Sequence, residues 1–175
     1  NISITAGSGN DSVKDHPEAG TETDTGAGDE VAGNYATLNP AHIYASTLSN
    51  GALDWTSSTN YGKAQGTIAV TSGKWYYEAT IGSGNMLVGI FDATEKIPAN
   101  SWNGTKAYYS SNGRKYDGNS ATSYGSTFTS GDVIGVALDM DAGTLVFYKN
   151  NVSQGTAFTG ITGRQILGLL GSDGS

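Results

Sequence analysis

"SGDVIGVALDMDAGTLVFYKNN", Ser130 to Asn151, decides how this chain is read. Two apolar runs flank a short acidic turn, with Asp139 and Asp141 two residues apart just before Gly143. Carboxylates so close form either a cation or catalytic pair, or the turn of a hairpin. The alternation separates the two. Val133, Gly135, Ala137 and Asp139 fall on one strand face, and Ile134, Val136, Leu138 and Met140 on the other. Leu145 and Phe147 alternate with Val146 and Tyr148 in the second run. Asp141-Ala142-Gly143 accepts the positive φ of a tight turn. A calcium site would need further oxygen donors close in sequence, which this turn lacks. The stretch favours a β-hairpin.

The same grammar extends outward. "HIYASTLSNGALDWT" has an Asn50-Gly51 turn between two short runs, a strong hairpin signal. "GTIAVTSGKWYYEATIG" predicts strands at Thr67–Val70 and Lys74–Ile81, joined at Ser72-Gly73. "NMLVGIFDA" is a buried run, and "KAYYSSNGRKYDG" is a hairpin about Asn112-Gly113. "RQILGLLG" closes the chain. No segment sustains a 3.6-residue period with caps. Short strands with regular turns predict an all-β sandwich.

Charge divides the chain in two. Residues 1–33 hold seven acids (Asp11, Asp15, Glu18, Glu22, Asp24, Asp29, Glu30) against Lys14, and so carry -6 of the formal net charge of -7. All 17 aromatic residues follow residue 33. The first part reads as an acidic, Gly-rich flexible arm too poor in apolar surface to form a core. It begins with a short strand signal, "NISITA". The second part, residues 34–175, reads as one β-sandwich domain. Neither part offers the basic face that a phosphate backbone requires, so nucleic acid is excluded as a partner. No apolar run is long enough for a spanning helix, so no membrane insertion is expected. The absence of Cys removes disulfides, thiolate metal sites and Cys nucleophiles. A start at Asn1 with no signal-peptide pattern suggests a processed product or a piece of something longer.

"SGKWYYEATI" (Ser72–Ile81), "VGIFD" (Val88–Asp92) and above all the hairpin stretch resemble the SPRY (B30.2-like) domain, particularly versions in bacteriophage and bacterial proteins. "YATLNPAHIYASTLSNGALDW" resembles the lead-in strands of the same domain. The resemblance implies a concanavalin-like sandwich of two bent antiparallel sheets and a non-catalytic binding module. It implies that loops at one end of the sandwich bind the partner. The loop after "VGIF", Asp92 to Gly104, then makes Trp102 the leading contact residue, with Lys96 and Asn103 beside it. The alternative, an indole folded back onto the sandwich, is weighted equally. Tyr61 in the loop "STNYGKAQG", Arg114 and Tyr116 near the Asn112-Gly113 turn, and Ser172 and Asp173 in "LLGSDG" complete the candidates. The family pattern also continues beyond "ILGLLGSDGS" into a last strand not found here.

Catalysis is not expected. Only His16 and His42 are present, Gly-x-Ser-x-Gly and His-Glu-x-x-His motifs are absent, and Glu78 is the only Glu in a predicted strand of the body. "AGSGNDSV" (Ala6–Val13) resembles one unit of a calcium-binding nonapeptide repeat and "TGAGDEV" (Thr25–Val31) a degenerate echo of it, so that Asp11, Asp24 and Asp29, in or beside them, are weak calcium candidates. Such repeats bind calcium only when stacked, so a linker is the favoured reading and no cofactor is expected. The functional expectation is a virion-surface or extracellular module of the phage fibre, spike or decoration type. Its partner would be a host-surface glycan or protein, and it would be displayed as an oligomer among other virion or assembly subunits. The alternative is a structural subunit of a coat, fibre or filament, with "NISITA" added as a strand to an exposed sheet edge.

Overall fold

The computed structural model describes residues 36–57 and 59–173. The "NISITA" segment and Asp11, Asp24 and Asp29 lie outside these residues. The compact unit that contains the body begins at Thr37.

The described residues form strands and turns without a helix. In chain order the strands are β1 (Leu38–Tyr44), β2 (Thr47–Ser49), β3 (Asp54–Thr56), β4 (Asn60–Gly66), β5 (Ala69–Val70), β6 (Lys74–Thr80) and β7 (Met86–Asp92). They continue with β8 (Thr105–Tyr109), β9 (Arg114–Asp117), β10 (Ser120–Ser123), β11 (Val133–Asp139), β12 (Thr144–Lys149), β13 (Val152–Phe158) and β14 (Gln165–Asp173). The large sheet runs β1-β4-β14-β7-β8-β9-β10, with β5 also on β14. The small sheet runs β13-β12-β11-β6, and β2-β3 form a separate hairpin. All pairings are antiparallel. The architecture is the expected all-β sandwich of antiparallel sheets.

The opening stretch is the hairpin β11–β12. Ile134, Val136 and Leu138 are buried with Leu145 and Phe147, against Val88, Ile90, Tyr108 and Leu167 of the large sheet. Asp139 is a turn residue: its Oδ1 accepts from the backbone N–H groups of Asp141 (3.0 Å) and Ala142 (2.9 Å), and Gly143 supplies φ +63°. Those backbone donors, Ala142 first, hold its carboxyl below the usual range, and Lys74 adds to this at 3.2 Å. Asp141 accepts from the N–H of Gly73 at 2.8 Å, which ties the turn to the start of β6.

One sequence expectation changes. Asn60–Gly66 of "STNYGKAQG" is not a loop but β4, inside the large sheet. Its inner positions Gly62, Ala64 and Gly66 are small, so the run lacks the apolar alternation by which strands are read. The segments about Ser72-Gly73 are strands, but they do not pair with each other. β5 joins β14 and β6 joins β11, so the chain crosses between sheets there. The C-terminal run "QILGLLGSD" is β14, at the middle of the large sheet between β4 and β7.

The register makes a direct test. Phe147→Ala, on the inner face, is expected to cost about 3–5 kcal/mol by urea denaturation. Tyr148→Ala, one residue on and facing outward, is expected to cost about 1 kcal/mol or less.

Candidate functional site

The large sheet has a second apolar face, turned away from the small sheet. In β7, Val88 and Ile90 face the sandwich interior, while Leu87 and Phe91 face the other way. They gather with Ala107 and Tyr109 of β8, Leu169 of β14, and Trp102. Register shows how this face is built. Tyr44, Lys63, Gly171, Leu87 and Tyr109 are successive cross-strand partners on β1, β4, β14, β7 and β8. Gly171 leaves a gap in this row, and the Trp102 indole fills it; a Cβ at Gly171 would collide with the ring.

The 92–104 loop is therefore folded onto the sheet. Trp102 is 5% exposed, so the expectation of an exposed contact gives way to its alternative. The physical reason is the glycine gap, which gives the indole a floor and a larger burial than solvent offers. The loop is fastened at several points. Asn119 Oδ1 accepts from Trp102 N at 2.8 Å, and Asn119 Nδ2 donates to Asn103 Oδ1 at 2.8 Å. Thr105 Oγ1 donates to Trp102 O at 2.7 Å.

Lys63 lies beneath the loop and is the residue that sequence reading missed. Its side chain is fully buried. Its Nζ donates to Tyr61 O (2.9 Å) and Pro98 O (2.8 Å), and stands 4.7 Å from the Trp102 ring centroid, 5.3 Å from Tyr44 and 5.4 Å from Tyr61. Two carbonyls and three aromatic faces replace its hydration. Among the described residues no carboxylate pairs with it. Burial pushes its pKa down to about 8. One signal in sequence was available: Lys63 and Gln65 alternate with glycine and alanine, which marks a strand face with polar groups aimed at a specific cover.

Most of the other candidates lie on this same face; Ser172, paired with Met86, is on the interior face. Tyr61 is half-buried against Trp102, with centroids 5.4 Å apart, and its backbone sits at φ +63°, an uncommon conformation for a bulky residue. Tyr116 is half-buried and meets Tyr109 edge-on at 5.6 Å. Asp173 Oδ2 accepts from Tyr109 OH at 2.9 Å. Burial and this carboxylate together raise the Tyr109 pKa. Arg114 is exposed, and the β8–β9 register carries it to the position beside Tyr109. Ser172 is buried, so it does not present its hydroxyl at the surface. Lys96 and Asn103 are exposed on the loop. The face thus combines a rigid aromatic floor with an open rim of Lys96, Asn103, Arg114 and Asp173. No cluster of three or more His, Asp or Glu suited to a metal occurs among the described residues.

A β-sandwich with loops fastened across one sheet to make a fixed, mixed polar and aromatic surface is the build of a recognition module. The SPRY domain family matches residues 74–168, and the chain belongs to that family. SPRY domains bind protein partners and are generally non-catalytic. A curated relative is the E3 ubiquitin-protein ligase RKP of Arabidopsis thaliana, 34% identical over 107 residues, or 58% of this chain. The match spans 8% of that protein's length. Among solved structures, the SPRY domain of human HERC1 superposes with a TM-score of 0.67 at 22% identity, covering 79% of this chain and 91% of that one. Both proteins are eukaryotic and do not support the phage or bacterial setting.

Two measurements test the site. Trp102→Ala is expected to destabilise the domain by about 3–5 kcal/mol, as a core truncation does, so it is a stability variant and not a clean binding control. Lys63 gives a pH signature. The folded side chain loses its proton near pH 8, whereas in the unfolded chain it holds it to about 10.4. The unfolded state binds more protons between these values, so stability is expected to rise by about 1 kcal/mol from pH 8 to 9. Above about pH 9 the rise is offset and then reversed, because Tyr77, Tyr108 and Tyr109 keep protons that the unfolded chain gives up. Lys63→Met should abolish the rise between pH 8 and 9 in chemical denaturation.

Proposed function

We propose that this SPRY domain recognises an extended segment of a partner protein on the rim around the fastened loop. The ligand would lie over Tyr61 and Tyr116 and take polar contacts from Lys96, Asn103, Arg114 and Asp173. The supporting observation is the loop itself. Trp102 and Lys63 fix it before any ligand arrives, so binding would carry little ordering cost. Opposite charges at Arg114 and Asp173, set among half-buried tyrosines, suit a peptide with both apolar and charged groups better than a uniformly charged polymer. The domain would supply recognition, and chemistry would belong to whatever it is joined to or assembled with.

A host-surface glycan as ligand, and a virion or extracellular location, rest on the sequence resemblance alone. A calcium-binding role for Asp11, Asp24 and Asp29 has the same standing.

The test is a selection from a displayed random-peptide library, with a glycan array run beside it, on the full chain presented multivalently. Peptides should be enriched, and Arg114→Glu or Asp173→Lys should weaken them at least about tenfold with an unchanged unfolding midpoint. Glycan binding lost in the same variants would favour the host-surface reading. Peptide binding indifferent to both variants would sink the proposed face.

A further inference from the structure

Three of the four edge strands that end the two main sheets carry features that block strand pairing. β1 contains Pro40 and a register shift between Leu38 and Ile43. β10 is four residues long. β13 is broken by two register shifts. These are ordinary protections against edge-to-edge association. The fourth edge, β6, has no such break. It pairs with β11 over seven unbroken positions and contains neither Pro nor Gly.

The phase of the β6–β11 ladder says which groups remain open. Met140 N donates to Gly73 O, and Ile81 N donates to Asp132 O. Bonded positions alternate along an antiparallel strand. Trp75, Tyr77 and Ala79 therefore turn their backbone groups to β11, while Lys74, Tyr76, Glu78 and Thr80 turn theirs outward. No strand among the described residues takes them. Trp75 and Tyr76 are 40% and 52% exposed, two of the four exposed large hydrophobic side chains among the described residues, and they point to opposite faces of this strand. A strand laid alongside would shield both.

The edge is complementary to itself. Lys74 and Glu78 stand two positions to either side of Tyr76. An antiparallel copy with its two-fold axis at Tyr76 sets each Lys74 opposite the partner's Glu78, and Tyr76 opposite the partner's Tyr76. All three positions are in the bonding phase just derived. The existing contacts of these side chains allow this. Lys74 reaches Asp139 at 3.2 Å while its side chain stays 76% exposed, and Tyr76 OH donates to Glu78 Oε1 at 2.8 Å, leaving the other carboxylate oxygen for a lysine.

We propose that β6 is a self-pairing edge, through which two copies of this chain join antiparallel and merge their small sheets into one. The pairing is isologous, so it closes as a dimer and does not propagate. It leaves the recognition face of the large sheet clear and presents two copies of it. It differs from addition of "NISITA", because the occupant is β6 itself.

Sedimentation equilibrium of the full chain over micromolar to submillimolar concentrations tests it, with folding of each variant checked by circular dichroism and unfolding midpoint. A concentration-dependent dimer is expected. Glu78→Lys and Lys74→Glu, each alone, should weaken it at least about tenfold by setting like charges opposite one another. The double swap Lys74→Glu/Glu78→Lys should restore it, and the two single variants mixed should form a heterodimer. Ile2→Asp/Ile4→Asp in the full chain should leave it unchanged. A monomer at every concentration, a dimer indifferent to the single swaps, or a dimer lost with the Ile2 and Ile4 changes would each overturn the proposal.

Discussion

A lysine with no carboxylate beside it among the described residues sits on β4, one strand in from the edge of the large sheet, and the arrangement of the recognition face depends on it. An ammonium group out of water is costly unless its hydrogens are met. Here two are met by the carbonyls of Tyr61 and Pro98, and the rings of Trp102, Tyr61 and Tyr44 surround it. Pro98 belongs to the 92–104 loop and Tyr61 to β4, so one side chain ties the loop to the sheet. Removing it would leave two carbonyls and a strained tyrosine without their common partner. Burial nonetheless pushes the lysine's pKa down to about 8.

The second apolar face explains why such a fastening is needed. A sandwich normally buries one face of each sheet and exposes the other. Here Leu87, Phe91, Ala107, Tyr109 and Leu169 make the outer face of the large sheet apolar as well. Left bare, it would be an adhesive patch. The loop covers it by inserting Trp102 above Gly171, and its exposed residues, Lys96 and Asn103, become the polar rim. The chain thus converts a hydrophobic face into a selective one with a single loop.

The sequence was legible where side chains alternate. The hairpins about Asn50-Gly51, Asn112-Gly113 and Asp141–Gly143, and the inward set of β11 and β12, follow from period-2 patterning and turn chemistry, which are local. Pairing across the sandwich was not legible. β4 was hidden because its inward residues Gly62, Ala64 and Gly66 lack apolar bulk; Gly66 lies close against Leu167 of β14 and Gly62 close against Ser57. The burial of Trp102 was also hidden, because it depends on a glycine 69 positions later in the chain. Asp139 and Asp141 were read as hairpin-turn residues, and both carboxylates accept from backbone N–H groups at that turn and at the start of β6. Lys63 was missed with its strand: the alternation of Lys63 and Gln65 with glycine and alanine marks a polar strand face only once β4 is recognised.

The two sheets divide their work by how they treat exposed aromatics. On the large sheet, Trp102, Tyr61, Tyr109 and Tyr116 pack on one another, so their burial is complete or half complete within one chain. On the small sheet, Tyr76 lies over Gly135 and meets Tyr148 edge-on at 6.3 Å, yet Trp75 and Tyr76 still stay 40% and 52% exposed at the β6 edge. A fold that protects three of its edges and leaves the fourth regular, aromatic and charge-paired with itself places its unfilled hydrogen bonds where a second copy can meet them without competing with the ligand. Affinity on the recognition face can then remain modest, since two faces held together gain through effective concentration what one face lacks.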